Sequence, residues 1–273
     1  MNKMMKWLTV GQSTMLLLMI MTQSVVAQNE TVGSPTLSLN YLVDTPTAGL
    51  LERGEMGFDT RIYGDGGVLF TFQVGVFRAL NMGVSYGGTG IVGQGDVNWN
   101  RQPEVHLRYR LLNESFIWPA LNIGYSGQGY GKRFEDRYQF KARGFYGVGS
   151  KNFLLAGRSI IGFHAGINYN TGEVDDDSGT NYWFGYHHAL NQDLTLVLEY
   201  DCALQDRYVT QKHPDTSIVT QLERRDRGYL SGALRWTFAE KLSLIFHFKD
   251  LLGNQENLEN FEREIRIQYV ETL

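Results

Sequence analysis

The feature that most constrains this chain is a two-residue alternation of apolar with polar or small side chains, recurring from about residue 57 onward. Val68, Phe70, Phe72, Val74 and Val76 alternate with Leu69, Thr71, Gln73, Gly75 and Phe77. Val105, Leu107, Tyr109 and Leu111 alternate with His106, Arg108 and Arg110. The pattern returns at Ile161, Phe163, Ala165, Ile167 and Tyr169, and at Leu242, Leu244, Phe246 and Phe248. Successive strand side chains point to opposite faces, so these runs are strands with one greasy face and one polar face. They are about nine to eleven residues long, the length a tilted strand needs to cross a bilayer. Their second face is rich in Gly, Arg, His, Asn and Ser, as a crowded polar lumen would be.

Loop length separates a membrane barrel from a soluble sandwich, which alternates equally well. Strands are expected near 57–63, 67–77, 81–87, 104–112, 118–126, 138–150, 159–169, 180–190, 193–204, 228–238, 241–250 and 263–271. Short turns at 78–80, 113–117, 151–158, 191–192 and 239–240 then alternate with long polar loops at 88–103, 127–137, 170–179, 205–227 and 251–262. Only the hairpin at Gly64-Asp65-Gly66 breaks the alternation. Short turns on one rim and long loops on the other are the asymmetry of outer-membrane barrels. The expected fold is therefore all-β, a transmembrane antiparallel up-and-down barrel of about 12 strands. Tyr63, Phe77, Tyr86, Trp118, Tyr169, Trp183, Tyr200, Trp236 and Tyr269 lie near strand ends and are expected in interfacial girdles.

The start of the chain fits export. Lys3 and Lys6 precede an interrupted apolar stretch, and Val25-Val26-Ala27 forms a small-residue cleavage site. Residues 1–27 are read as a signal peptide, 28–56 as a periplasmic lead-in that caps or enters the lumen, and 57–273 as the barrel. With 31 glycines, 13% aromatic residues and 5 prolines in 273 residues, the composition suits many strands joined by frequent turns. The formal net charge of −4 and the lack of a basic block exclude nucleic acid as a partner. A single cysteine, Cys202, excludes an internal disulfide.

A polar cluster is expected to face the lumen: His106, Arg108, Arg110, Lys141, Arg143, His164, Glu199, Asp201, Arg235, His247 and Arg266. Opposite charges in a narrow barrel bridge and plug it; alternatively they guide an anion or a sugar. The adjacent His187 and His188 point to opposite faces of a strand and cannot share a metal. Asp175-Asp176-Asp177 lacks the spaced ligands of a calcium loop, and no residue set has zinc-site spacing. No metal, cofactor or catalytic residue is therefore assigned, although Ser150 or Ser159 with His164 would be the pairs to consider for a hydrolase.

The segment Asp44-Thr45-Pro46-Thr47-Ala48-Gly49-Leu50-Leu51-Glu52-Arg53-Gly54-Glu55-Met56-Gly57-Phe58 resembles the opening of YjbH-like outer-membrane β-barrel proteins. Ser85-Tyr86-Gly87-Gly88-Thr89-Gly90, Pro119-Ala120-Leu121-Asn122-Ile123-Gly124 and Ile167-Asn168-Tyr169 extend the similarity over about half the chain. The resemblance implies residence in the Gram-negative outer membrane and an accessory role in exopolysaccharide production or export, with no catalytic residues. Expected partners are outer-membrane lipid and lipopolysaccharide, the barrel-assembly machinery, and polysaccharide or export proteins. Two other functions stay open: a passive pore for small solutes, and a lipid-modifying enzyme.

Overall fold

A computed structural model describes residues 39–134, 137–155, 159–171, 173, 179–206, 208–212, 219–223, 225–238, 241–255 and 261–272. Residues 1–27, read as a signal peptide, residues 28–38 of the expected lead-in and the Asp175-Asp176-Asp177 cluster lie outside them. The chain forms β1 (Glu55–Tyr63), β2 (Gly67–Phe77), β3 (Leu80–Thr89), β4 (Asn98–Trp99), β5 (Glu104–Leu112) and β6 (Ala120–Ser126). These are followed by β7 (Tyr130–Phe134), β8 (Arg137–Phe140), β9 (Gly144–Leu155), β10 (Ser159–Tyr169), β11 (Thr180–Ala189) and β12 (Leu194–Asp201). The last elements are β13 (Tyr208–Lys212), β14 (Val219–Glu223), β15 (Tyr229–Phe238), β16 (Leu242–Lys249) and β17 (Glu262–Thr272).

Twelve of these strands pair antiparallel with their neighbours in chain order around a closed barrel. Closure is made by the first and last: β1 pairs with β17 from Glu55↔Thr272 to Ile62↔Ile265. Full closure leaves no strand edge, the condition for a sheet to stand in lipid. The remaining strands are short additions to the long loops; β7 pairs with β8, β13 with β14, and β4 extends β3. The long loops and the Gly64-Asp65-Gly66 hairpin gather on one rim, here the long-loop rim, and the short turns on the other.

The alternation resolves as expected for lipid outside and polar groups within. Phe70, Val105, Leu107, Ile123, Phe163, Ile167, Phe184, Phe246, Ile265 and Ile267 are exposed on the outer face. Their sequence neighbours His106, Arg108, Asn122, His164, Asn168, His247, Glu264 and Arg266 are buried inside. An apolar exterior on this scale would be untenable in water and is what a bilayer solvates. Stacked Tyr86 and Trp99, with ring centroids 5.7 Å apart, lie on the long-loop side. Phe77, Trp118 and Trp236 are exposed toward the short turns.

Three details differ from the sequence reading. The strand expected at 138–150 divides: residues 137–140 pair with β7 in a loop hairpin, and the barrel strand β9 begins at Gly144. Gly144 has φ +66, and a Cβ there would lie 2.3 Å from the Tyr169 carbonyl oxygen, so the chain turns sharply at that point. Lys141 and Arg143 consequently sit on the connection between hairpin and barrel, not on a barrel strand. Tyr63 and Trp183 are not girdle residues; both are buried inside. The Tyr63 hydroxyl donates to the Gly88 carbonyl at 3.0 Å, and Trp183 lies across Gly166, where any Cβ would meet its ring. In β2 a bulge between Gly75 and Phe77 shifts the parity and turns Phe77 outward.

Candidate functional site: the occluded lumen

Residues 39–51 occupy the middle of the lumen. The segment ends where β1 begins, at the short-turn rim, so it rises from that rim, turns back and leaves there. Its tip is a tight turn, with Leu42 N–H donating to the Thr45 carbonyl at 2.9 Å and Thr47 N–H to the Asn40 carbonyl at 3.1 Å. One wall carboxylate holds that tip. Oε2 of Glu199 accepts the N–H groups of Val43, Asp44 and Thr45, each at 2.9 Å, and the Thr45 hydroxyl at 2.7 Å. Successive backbone N–H groups converging on one anion form a nest, and each charge-assisted bond is stronger than a neutral one.

Apolar contacts seat the same segment. Leu42, Val43 and Ala48 join Ala120, Tyr146, Val148, Trp183, Val197, Ala233 and Ile245 of the wall in a buried cluster. Full burial of a Val or Leu side chain is worth roughly 1.5–3 kcal/mol. Gly185 makes room for it: a Cβ there would stand 2.0 Å from Cδ1 of Leu42.

Ion pairs surround the tip on the long-loop side. Asp44 bonds Arg61 at 2.7 Å and Lys249 at 2.8 Å; Glu264 lies 3.4 Å from Lys249 and 3.7 Å from Arg61. Although burial opposes ionisation, Lys249 and Arg61 hold the Asp44 carboxyl well below its ordinary range. The β7–β8 hairpin folds inward onto this centre. The Tyr130 hydroxyl donates to Asp44 at 2.7 Å, its ring lies under Arg61 with the guanidinium 4.5 Å from the centroid, and Arg137 pairs with Asp206. Burial and the neighbouring carboxylates push the Tyr130 phenol well above its usual value, so it acts as a neutral donor.

The expected lumen cluster is distributed over this architecture. His106 bridges Ser85 at 2.7 Å and Ser126 at 3.0 Å. Arg108 donates to the Asn40 carbonyl at 2.9 Å and covers the Tyr41 ring, and Arg110 bonds Asn122 at 2.6 Å and the Ala48 carbonyl. Arg266 pairs with Asp59 at 2.6 Å, while His247 lies 3.7 Å from Glu264. Asp201 accepts from Asn181 at 2.6 Å and pairs with Arg143; burial works against that guanidinium's charge, but Asp201 and Glu199 raise its pKa. Lys141 donates to the Gln205 carbonyl at 2.8 Å in the long-loop region. Glu199 and Asp201 therefore do not act as one acidic pair facing the arginines. Glu199 serves the inserted segment, and Asp201 serves the rim.

Sequence reading missed Asp44, Asp59, Arg61, Lys249 and Glu264. Asp59, Arg61 and Glu264 share the polar parity of β1 and β17, a signal that could have found them. Asp44 had no such signal, since no periodicity places an irregular segment inside a barrel.

The hydroxyl–imidazole pairs are part of the same inventory. Ser150 Oγ lies 2.7 Å from His164 Nδ1, and His164 Nε2 lies 2.8 Å from His187 Nδ1. The Ala48 N–H donates to the same Ser150 oxygen at 2.8 Å, so this serine is buried against the inserted segment, away from lipid. Ser159 pairs instead with His188, on the outward side, at 2.8 Å. Neither histidine has a carboxylate orienting its second nitrogen among the described residues, the third element of a hydrolytic triad. Among the described residues no group of three or more His, Cys, Asp or Glu side chains is placed to hold a metal.

Two of the cavities among the described residues lie on opposite sides of residues 39–51. One of about 100 Å³ lies toward the long loops among Asp44, Arg61, Tyr130 and Lys249. The other, of about 410 Å³, lies toward the short turns among Ala48, Arg110, Ser150, His164 and Arg235.

No protein-family model matches the chain, and no curated protein matches it. Among solved structures, a NanC porin structure in a rhombohedral crystal form aligns with a TM-score of 0.39 and 9% identity, covering 80% of this chain and 99% of that one. A Salmonella typhi OmpF complex with daunomycin aligns with a TM-score of 0.30 and 9% identity, covering 80% of this chain and 96% of the other.

Proposed function

We propose that the protein is a non-enzymatic outer-membrane β-barrel of a Gram-negative envelope, and that its lumen is a gated pore for small hydrophilic solutes. In this reading the short turns are periplasmic, the long loops extracellular, and residues 39–51 with the β7–β8 hairpin are the gate. The observation that carries it is the pair of polar-lined cavities separated by the inserted segment, inside a wall that is polar along its inner face. The filling is a discrete chain segment, seated by the Glu199 nest, by ion pairs at its tip and by the buried apolar cluster around Leu42 and Val43.

Planar-bilayer recording tests the proposal. The intact protein should show rare, brief openings, and a variant lacking residues 40–50 and 130–140 should conduct steadily. A doubly deleted barrel that still runs heat-modifiably on gels but passes no current would overturn the pore.

A second reading, an accessory role in exopolysaccharide export, is favoured by one observation. The segment that carries the YjbH-like resemblance, 44–58, includes the tip and the returning arm of the gate. Loss of surface polysaccharide on deleting the gene, restored by the wild-type chain, would support it. Unchanged polysaccharide would remove it.

A further inference from the structure

The geometry points to a binding site for a small organic oxyanion, a carboxylate or phosphate ester, in the cavity between residues 39–51 and the short turns. Its centre is Arg235. This side chain is only 4% exposed and lines the 410 Å³ cavity. Its Nε donates to the Ser243 hydroxyl at 3.3 Å, and its Nη2 has no hydrogen-bond partner. Among the described residues no carboxylate stands within salt-bridge distance of it. A guanidinium buried with an unused donor and no counter-ion is costly unless a ligand completes it.

The surroundings favour an oxyanion over a cation or a neutral sugar. A second guanidinium, Arg110, reaches the same cavity and is satisfied only by neutral acceptors, Asn122, Asn113 and the Ala48 carbonyl. The one acid at the cavity, Glu114, is engaged by Asn152 at 2.8 Å and lies 3.7 Å from Lys151. Thr195 and Thr237 supply hydroxyls beside the arginine, and Leu39 and Leu50 give an apolar wall for the organic part. Guanidinium groups bind carboxylates and phosphates through paired N–H donors.

The site lies on one side of the gate and needs no passage through it, so it stands whether or not the pore conducts. Isothermal titration of the full chain in zwitterionic detergent, with gluconate and inorganic phosphate as probes, tests it. Both probes should bind, and Arg235→Met should weaken binding about tenfold or more while keeping the heat-modifiable mobility. Arg101→Ala, exposed in the loop before β5, should bind like the parent. Absence of binding to the full chain, or equal binding by Arg235→Met, overturns the proposal. Conductance of the gate-deleted barrel is recorded separately, so failure of the pore and failure of the anion site remain distinguishable.

Discussion

The two halves of the lumen use charge in opposite ways. Toward the long loops the buried cations are paired with acids: Arg61 and Lys249 share Asp44 and Glu264, Arg266 has Asp59, Arg137 has Asp206 and Arg143 has Asp201, while Arg108, at the inserted segment itself, is held by the Asn40 carbonyl and the Tyr41 ring. Toward the short turns Arg235 and Arg110 form no salt bridge among the described residues, Asp59 and Glu114 acting on them only at longer range, and the space around them is larger. A compensated network is a lock. Removing one member strands its partner in a poorly solvating interior, and that penalty, more than the attraction itself, keeps the network intact. An uncompensated arginine beside an open cavity contributes little to holding the fold and is available to a ligand. The gate sits on the boundary, with its tip in the lock and its flank on the open cavity.

The largest effect should come from breaking the lock. Lys249→Met leaves Asp44 and Glu264 with Arg61 as their one remaining shared cation and should cost about 3–5 kcal/mol, read as a lower urea midpoint for loss of heat-modifiable mobility. Arg235→Met in the other half should cost less than about 1 kcal/mol, because Ser243 keeps the Thr237 hydroxyl as a partner at 2.9 Å. Equal losses in the two variants would erase the distinction.

The seat of the gate comes next. Gly185→Val drives methyl groups into Leu42 and should destabilise the inserted segment by about 1–3 kcal/mol, seen as protease cleavage within 39–51. Combining it with Leu42→Ala should restore part of the protection. No recovery would mean that Leu42 is not what the glycine accommodates.

Acid should loosen the lock by a smaller amount. Asp44 is held below its ordinary value of 3.8, so its contribution is present above that value and is lost as the pH falls through the depressed one. Hydrogen exchange at residues 42–45 should therefore rise in strong acid, and Asp44→Asn should abolish that dependence.

The smallest effect concerns the long-loop rim and has the opposite sign. Burial raises Glu173 from 4.5 to about 7, against the Ala142 N–H at 3.3 Å, which favours its charged form. A carboxyl raised on folding stabilises below 4.5, and that contribution is lost as the pH rises through about 7. Proteolytic nicking near 127–143 should increase across that interval in the parent and stay flat in Glu173→Gln. The short-turn half should show no such change.

Much of the barrel was legible in the chain. Period-two patterning assigns Leu107 to lipid and Arg108 to the lumen because a strand leaves its side chains no other choice, and sorted loop lengths specify which rim is which. What failed to show was local backbone geometry. The bulge at Gly75–Phe77 shifts parity without any change in composition, and Gly144 turns the chain where the pattern read as a continuing strand. Lys141 and Arg143 were misplaced for that reason. Tyr63 and Trp183 were misplaced because an aromatic near a strand end fits a girdle and an interior equally well until its facing glycine is known.

The sequence by itself determined a closed antiparallel barrel, its lipid face and the polar character of its interior, since each follows from spacing along one strand or between consecutive strands. Tertiary structure alone decided that a chain segment fills the middle of the lumen, that Glu199 grips the turn at 43–45 more than 150 residues away in the chain, and that Arg235 forms no salt bridge among the described residues. Those facts depend on which strands face one another across the lumen and on where an irregular segment lies within it. Neither leaves a period in the sequence.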